Sequence, residues 1–332
     1  MTDISGLSPR QQRLRRVGTT EAGMHTLPGV PPEASTDQGD EHGLSGEARG
    51  QLATAARRFI HEPLAMVGLS IFVGLAVAAL LTGWFWTYSY TSITNTLNAP
   101  PSLSHPFGTN SIGGDVFAQV MHGTLQDIEI ALIVAVLATV VGASVGAVAG
   151  FYGGATDTLL MRFVDLILVI PVLAILIVLA HIVAKQASNW FWLAVIIGAV
   201  SWTYVARLVR ADFLSLRERE FVEASRALGA TNRRIILRHM LPNAAGPIIV
   251  NATITVALSI VLESTLSYIG LGIQPPNVSL GLLVDQGQDS ATTEWWLFVF
   301  PVLFLVILIL SIFFIGDGLR EALDPKKNRV RA

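Results

Sequence analysis

Six long apolar segments dominate the sequence and constrain its fold more than any other feature. Each reaches the roughly 20 residues that a helix needs to cross a bilayer at about 1.5 Å per residue. Inside lipid a single segment must satisfy its own backbone hydrogen bonds, which favours helices over strands. We therefore expect an all-α membrane protein with six transmembrane helices, at about Leu64–Trp86, Ile128–Phe151, Leu159–Ala184, Trp190–Val209, Pro247–Leu271 and Trp295–Ile315.

The overall composition agrees with a lipid-embedded chain. Of the 332 residues, 52% are hydrophobic and only 14% are charged, whereas soluble domains carry about 25% charged residues. The chain contains no cysteine, which excludes disulfides, thiolate metal sites and a cysteine nucleophile.

The distribution of Lys and Arg predicts the orientation in the membrane. All 22 of these residues except Lys185 lie in segments that six spans would place on one side. The connections between the first two spans and the last two spans hold none. Because cytoplasmic loops are enriched in Lys and Arg, we expect both termini and the stretch 223–243 to face the cytoplasm.

Small residues and prolines predict local packing. Gly142, Gly146 and Gly150 recur every four residues in the second span, a spacing that lets another helix approach closely. "FYGG" at its end predicts a tight turn, and Pro171 predicts a kink in the third span.

Polar residues within the spans are candidates for a translocation pathway, because ionisable groups avoid lipid and face protein or water. These candidates are Asp165, Pro171 and Glu263. For Glu263 two interpretations stay open: a residue beside a polar pathway or gate, and a structural carboxyl group bonded to a neighbouring helix.

The stretch "EASRALGATNRRIILRHMLPN" (223–243) interrupts the apolar segments with charged, helix-forming residues. Gly229 is suited to end a first short helix, and Thr231 or Asn232 can cap a second one, which we expect to stop before Pro242. We expect two apolar stripes to rest on the membrane domain: Phe221, Ala224 and Leu228 on the first helix, and Ile235, Ile236 and Met240 on the second.

Three interpretations of this stretch differ in function. A DNA-binding helix-turn-helix is disfavoured, because the stretch is tethered between two membrane spans and no separate basic domain exists. A solvated loop explains the arginines but not two capped helices. A docking element for a soluble partner explains both, and tilting it must move the fourth and fifth spans, which join it directly.

The same stretch resembles the EAA motif of ATP-binding-cassette importer permeases, with a small residue after Glu-Ala, a glycine four residues later and then Leu-Pro. Several other motifs resemble the dipeptide/oligopeptide C-type subunit of that family, in order over about residues 58–326. They are "HPFGTN", "GGDV", "AGFYGGATDTLLMRFVD", "YVARLVRADFLSLREREFVEASRALGA", "LSYIGLGIQPP", "RHMLPN" and "GDGLREALDP".

The resemblance implies a MetI-like type I importer permease fold with both termini cytoplasmic. Residues 1–56 lie outside the resemblance, and their few large apolar residues predict a disordered cytoplasmic leader. The rest of the chain divides into the first transmembrane helix with an extracellular loop (57–126), a core permease domain (127–318) with coupling helices at 215–242, and a cytoplasmic tail (319–332). The resemblance also implies a multi-pass protein of the bacterial inner membrane and a transport subunit rather than an enzyme.

The resemblance further implies partners: a sister permease forming a heterodimer, two cytoplasmic ATPases and an extracellular solute-binding protein. The sequence holds no GxxxxGK[ST] motif, so we expect no cofactor on this chain, with ATP and Mg bound by the ATPases. We expect no nucleic-acid partner and no metal site.

Residues carried over from the family fall into two groups. The expected ATPase-coupling residues are Glu223, Ala224, Ser225, Ala227, Leu228, Gly229, Ala230, Arg234, His239, Leu241 and Pro242. The expected contacts with the binding protein are Gln274, Pro275, Pro276 and Asn277, although this loop could instead be a short re-entrant cap. We expect Glu223 to anchor the coupling helix through an Arg or nearby backbone amides.

Departures from the family pattern are few. Within the coupling motif, Ser225 replaces a second alanine, and His239 suits the peptide branch. In external segments, Asn110, Gly114 and Leu280 replace the usual Asp, Arg and Trp. We expect these three changes to bear on the contact with the binding protein. Two alternatives stay open: an ion-driven secondary transporter, and a permease for another substrate such as nickel, haem or glutathione.

Overall fold

The computed structural model describes residues 55–183 and 190–323, so the predictions for the leader and for most of the tail lie outside the described residues. After a short helical stretch at 55–61, the described part folds into the helices α1 (Pro63–Phe85), α2 (Val116–Tyr152), α3 (Gly154–Val169), α4 (Val172–Val183), α5 (Trp190–Arg217), α6 (Glu220–Ala227), α7 (Asn232–Tyr268), α8 (Leu280–Gln288) and α9 (Trp296–Leu323).

The predicted spans correspond to this helical architecture. Helices α1, α2, α5, α7 and α9 are long and apolar enough to cross a membrane, and α3 with α4 forms a sixth candidate span bent by 84°. The bend lies at Ile170–Pro171, where Ile170 is extended (φ −81°, ψ 131°). A proline removes one helical donor and disfavours helical geometry in the residue before it, so the predicted kink is a complete break.

The boundaries of two helices differ from the prediction. Helix α2 begins at Val116, so residues 116–126 are helical and the boundary expected at 126/127 lies inside a helix. Its start is set by Asp115, whose carboxylate accepts a hydrogen bond from the Ala118 amide (2.8 Å), as an N-cap residue does. Helix α9 likewise continues to Leu323, past the boundary expected at 318/319.

The glycine repeat of α2 is a packing seam against α5, as predicted. A Cβ built on Gly142 would lie 2.6 Å from Cβ of Val205, and one on Gly150 would lie 2.6 Å from Cβ of Phe213. A Cβ on Gly146 would collide with the Ala206 carbonyl oxygen. Only glycine therefore permits this approach.

The turn after the seam is also as predicted. Gly153 (φ 65°) and Gly154 (φ 54°) adopt the left-handed region between α2 and α3, a conformation that glycine adopts without the Cβ penalty of other residues.

Helix α7 connects the two ends of the described fold. Its 37 residues span about 55 Å at 1.5 Å per residue. Helix α6 lies just before its first residue and α8 follows its last, so we call these ends of the bundle the α6 end and the α8 end.

Candidate functional site

The candidate site is the coupling element, which we define as α6, the turn after it and the first turns of α7 (residues 220–242). Helix α6 starts with Glu220 and Glu223 and ends with Arg226 in its last turn, and each charge opposes the helix dipole at its own end. Gly229 (φ 78°) then ends the helix. Its amide donates to the Arg226 carbonyl (2.9 Å) and the Ala230 amide to the Ser225 carbonyl (3.0 Å), which forms a Schellman motif.

The buried face of α6 is centred on Val222 and Ser225. Val222 is fully buried and packs in a cluster with Phe213 of α5 and with Ile235 and Met240 of α7. On a helix with only two turns, this contact fixes which side faces outward.

This packing corrects the apolar stripe expected on α6. Phe221 is partly buried, but Ala224 and Leu228 are exposed, so the buried face is rotated by about one residue from the prediction. The stripe expected on α7 is confirmed, because Ile235 and Met240 are buried and Ile236 is partly buried against the same cluster.

The outward face of α6 and the turn after it expose five of the eleven predicted coupling residues, including Glu223. Ala224, Ala227 and Gly229 are exposed, and the Leu228 side chain is 87% exposed. Ala230 is half-buried and Ser225 is buried, with its hydroxyl donating to the Phe221 carbonyl (2.7 Å). An exposed leucine beside two alanines makes a small apolar surface at the end of an otherwise well-packed element.

Glu223 does not anchor the element as expected. Its side chain is exposed, and within residues 55–183 and 190–323 it has no ion pair or hydrogen-bond partner. Anchoring comes instead from Val222 and from Arg226, whose guanidinium lies 5.7 Å from the centre of the Phe151 ring, within the usual range of a cation–π contact. The Glu223 carboxylate is therefore free to bind a partner protein.

The second part of the element begins as predicted and ends differently. The Thr231 hydroxyl accepts from the Arg234 amide (3.4 Å), so Thr231 is the N-cap. The helix does not stop before Pro242: a π-helical turn at Ile235–Met240 leads directly into the α-helix Leu241–Tyr268. A proline ring disfavours the regular helical hydrogen bond to the carbonyl four residues earlier, and the π turn lies at the residues where that bond would form.

The remaining predicted coupling residues lie around this π turn. Arg234 and Pro242 are exposed, while His239 and Leu241 are half-buried. The His239 carbonyl accepts from the Asn243 amide side chain (2.6 Å). The coupling element is thus continuous with α7 instead of joining it through a loop.

The three predicted pathway residues occupy different environments and are not brought together. Asp165 on α3 forms an ion pair with Arg207 on α5 (2.6 Å), with the two side chains 47% and 52% exposed. Pro171 marks the break between α3 and α4. Glu263 is fully buried and accepts hydrogen bonds from the Ser267 and Ser264 hydroxyls of its own helix (2.6 and 3.3 Å).

Comparison with known proteins places the chain in a family. Residues 142–329 match the binding-protein-dependent transport system inner membrane components. The chain belongs to this family. Residues 50–101 of the permease also match the N-terminal transmembrane domain of oligopeptide transport permease C.

Full-length relatives agree with this assignment. The permease is 41% identical to the oligopeptide transport system permease protein OppC of Mycobacterium tuberculosis (strain ATCC 25618 / H37Rv) over 276 residues, covering 83% of this chain and 94% of the relative. It is 38% identical to the protein of the same name from Bacillus subtilis (strain 168) over 295 residues, covering 88% of this chain and 95% of the relative. The permease is a multi-pass protein of the bacterial inner membrane.

A solved structure confirms the fold. A chain of the MetNI methionine ABC transporter, in an inward-facing conformation, superposes with a TM-score of 0.53 at 20% identity, covering 63% of this permease and 97% of that chain. The predicted MetI-like fold is therefore correct.

At the α8 end, the residues expected to contact a binding protein lie between α7 and α8. Gln274, Pro275 and Pro276 are exposed, and Asn277 is half-buried. The segment then folds inward as α8, with Leu280 and Leu283 buried.

This inward folding changes the interpretation of the unusual external residues. Leu280 is fully buried, and Gly114 is buried with its amide donating to the Asn110 side chain (2.7 Å). Leu280 and Gly114 therefore act on the packing of the α8 end and not on its exposed surface.

Sequence reasoning missed two polar contacts. Arg210 of α5 bonds both carboxylate oxygens of Asp157 in α3 (2.5 and 2.7 Å), and Asp127 of α2 is fully buried beside Glu263. The first contact had a signal in the sequence, because Asp157 and Arg210 carry opposite charges on neighbouring helices. Asp127 lies one residue before an expected span and carries no such signal.

Proposed function

We propose that this permease is the C-type subunit of an ATP-driven dipeptide/oligopeptide importer and forms half of its translocation pathway with a sister permease. Relatives named oligopeptide permeases align with it over 94% and 95% of their lengths, which favours peptides over nickel, haem or glutathione. Membership in a binding-protein-dependent family disfavours an ion-driven secondary transporter.

The outward face of the coupling element is proposed as the surface that binds a cytoplasmic ATPase. The observation that carries this proposal is the combination of Glu223 on α6, whose carboxylate has no partner among the described residues, and the exposed Leu228 directly after the helix. The excess of Lys and Arg around the α6 end supports its placement in the cytoplasm. ATP and Mg would be bound by two ATPase subunits and not by this chain.

Transport would follow an alternating-access cycle. Movement of α6 must carry α7 with it, because Val222 packs directly on Ile235 and Met240 of that helix. At the α8 end, Gln274, Pro275, Pro276 and Asn277 would contact an extracellular solute-binding protein that delivers the peptide. ATP shifts the equilibrium between the two conformations only through its different affinity for them.

The first test of this proposal is assembly with the ATPases. In Glu223→Lys and Leu228→Asp permeases, we expect the ATPases to co-purify poorly and peptide uptake by proteoliposomes to fall. Leu103→Asp is the matched control, because Leu103 is fully exposed in the segment between α1 and α2, and it should leave co-purification unchanged. Normal assembly and uptake with both coupling variants would refute the proposed docking surface.

A further inference from the structure

Two buried carboxyl groups meet near the α8 end, away from the coupling element. Asp127 lies on α2 and Glu263 on α7, and both are fully buried. We call them the outer carboxyl pair. The two carboxyl groups are close enough to interact electrostatically.

The outer carboxyl pair bonds directly to the start of α8. The amide of Leu280, the first residue of α8, donates to Oδ2 of Asp127 (3.4 Å). Ser279 is the N-cap of α8, with its hydroxyl accepting from the Leu282 amide (3.3 Å). The Asp127 carboxyl group therefore lies at the amino-terminal end of α8, where the helix dipole is positive.

A second connection runs through Ser267. Its hydroxyl donates to Oε1 of Glu263 (2.6 Å) and accepts from the Ile273 amide (2.9 Å). Ile273 belongs to the segment that leaves α7 towards α8. Glu263 is thus linked through Ser267 to the connection between these two helices.

Close backbone packing leaves α8 little freedom. A Cβ built on Gly281 would lie 2.5 Å from the Ser264 Cα of α7, and one built on Gly123 of α2 would lie 3.1 Å from the Leu280 amide nitrogen. The first turn of α8 is therefore wedged between α2 and α7, with the outer carboxyl pair beneath it.

We propose that the outer carboxyl pair attaches α8 to α7, so that movement of α7 is transmitted to the external segment 272–289. This inference rests on the proposed function, in which α7 begins at the ATPase-binding element. Glu263 lies five residues before the end of α7, at the opposite end of the same continuous helix. Asp127 and Glu263 are positioning residues here and do not contact the peptide.

The functional test uses the complete reconstituted importer with trialanine and its binding protein. In Asp127→Ala and Glu263→Ala complexes, we expect stimulation of ATP hydrolysis by loaded binding protein to fall to the basal rate, with basal hydrolysis and assembly unchanged. Asp127→Asn should retain stimulation, because the side-chain oxygen of Asn can still accept from the Leu280 amide. Ser259→Ala is the control on α7: this buried hydroxyl bonds only within its own helix, to the Thr255 carbonyl.

A second measurement detects the attachment itself. Since the chain has no cysteine, a single Leu282→Cys substitution places a thiol at a buried position of α8. Maleimide should label this thiol several-fold faster in the two alanine backgrounds and at the original rate with Asp127→Asn. If the alanine variants do not assemble, Ser267→Ala removes the hydroxyl that links Glu263 to the Ile273 amide, leaves both carboxyl groups in place and should also label faster.

Normal stimulation in both alanine complexes, or lost stimulation without faster labelling, would overturn the attachment proposal. A wild-type complex that peptide does not stimulate would instead contradict the proposed function. The labelling comparison still tests the attachment of α8 in that case, because it does not depend on transport.

Discussion

The turn at Gly229 gives the sharpest test of how the coupling element is built. Gly229 has φ 78°, and a Cβ built there has no atom within 4 Å. A substitution therefore meets no steric clash with the surroundings, and its cost is purely conformational. For alanine in the left-handed region the cost is about 1–2 kcal/mol, which lowers the ratio of closed to open turn by a factor of about 5–30.

The predicted order of activity across a Gly229 series follows from this cost. Asn should be closest to wild type because it tolerates the left-handed region, Ala should be lower, and Val lowest because its β-branched side chain makes positive φ a marked outlier. The global melting temperature should change little, since the turn is exposed. The assays are peptide-stimulated ATP hydrolysis of the reconstituted complex and hydrogen exchange of the Ala230 amide, which should accelerate in parallel.

Two outcomes would refute this reasoning. Equal activity and equal Ala230 exchange in the Gly, Asn, Ala and Val permeases would show that the closed turn is not needed. A large fall in melting temperature with Ala would show that the turn supports the whole bundle and not only the coupling element.

Three further predictions concern packing, capping and charge. Gly146→Ala should overpack against Ala206 and lower the free energy of unfolding by about 1–3 kcal/mol, as measured by thermal melts. Gly74→Ala is the control, because a Cβ at this position of α1 meets open space, and it should leave the free energy of unfolding unchanged. Thr231→Ala should accelerate hydrogen exchange in the first turn of α7, because losing an N-cap costs about 1 kcal/mol; unchanged exchange would contradict the cap. A double-mutant cycle on Asp157 and Arg210 should give at most about 1 kcal/mol of coupling energy that decreases with salt, and a salt-independent coupling would contradict this.

The spans were predictable because lipid imposes both a length and an apolar composition on them. Their ends were less predictable, since caps such as Asp115 lie in polar sequence that also suits a loop. Pro171 gave the position of the break in the third span. The continuity of α7 through Pro242 was not predictable, because it depends on a π turn that leaves no pattern in the sequence.

The coupling element was predictable in position and only partly in orientation. Gly229 and Thr231 act locally, so their roles as end and start of two helices could be inferred from residue type. The outward face of α6 depends instead on Phe213, Ile235 and Met240, which come from other helices. Asp127 and Glu263 are far apart in sequence, so their pairing required the fold.

The glycine seam between α2 and α5 has a consequence for how this permease can change shape. Backbones in direct contact cannot slide without collision, so these two helices must travel as one rigid block. Any change between open and closed forms then has to be absorbed at breaks in the chain, where Gly153–Gly154 and Ile170–Pro171 interrupt the helices on either side of α3.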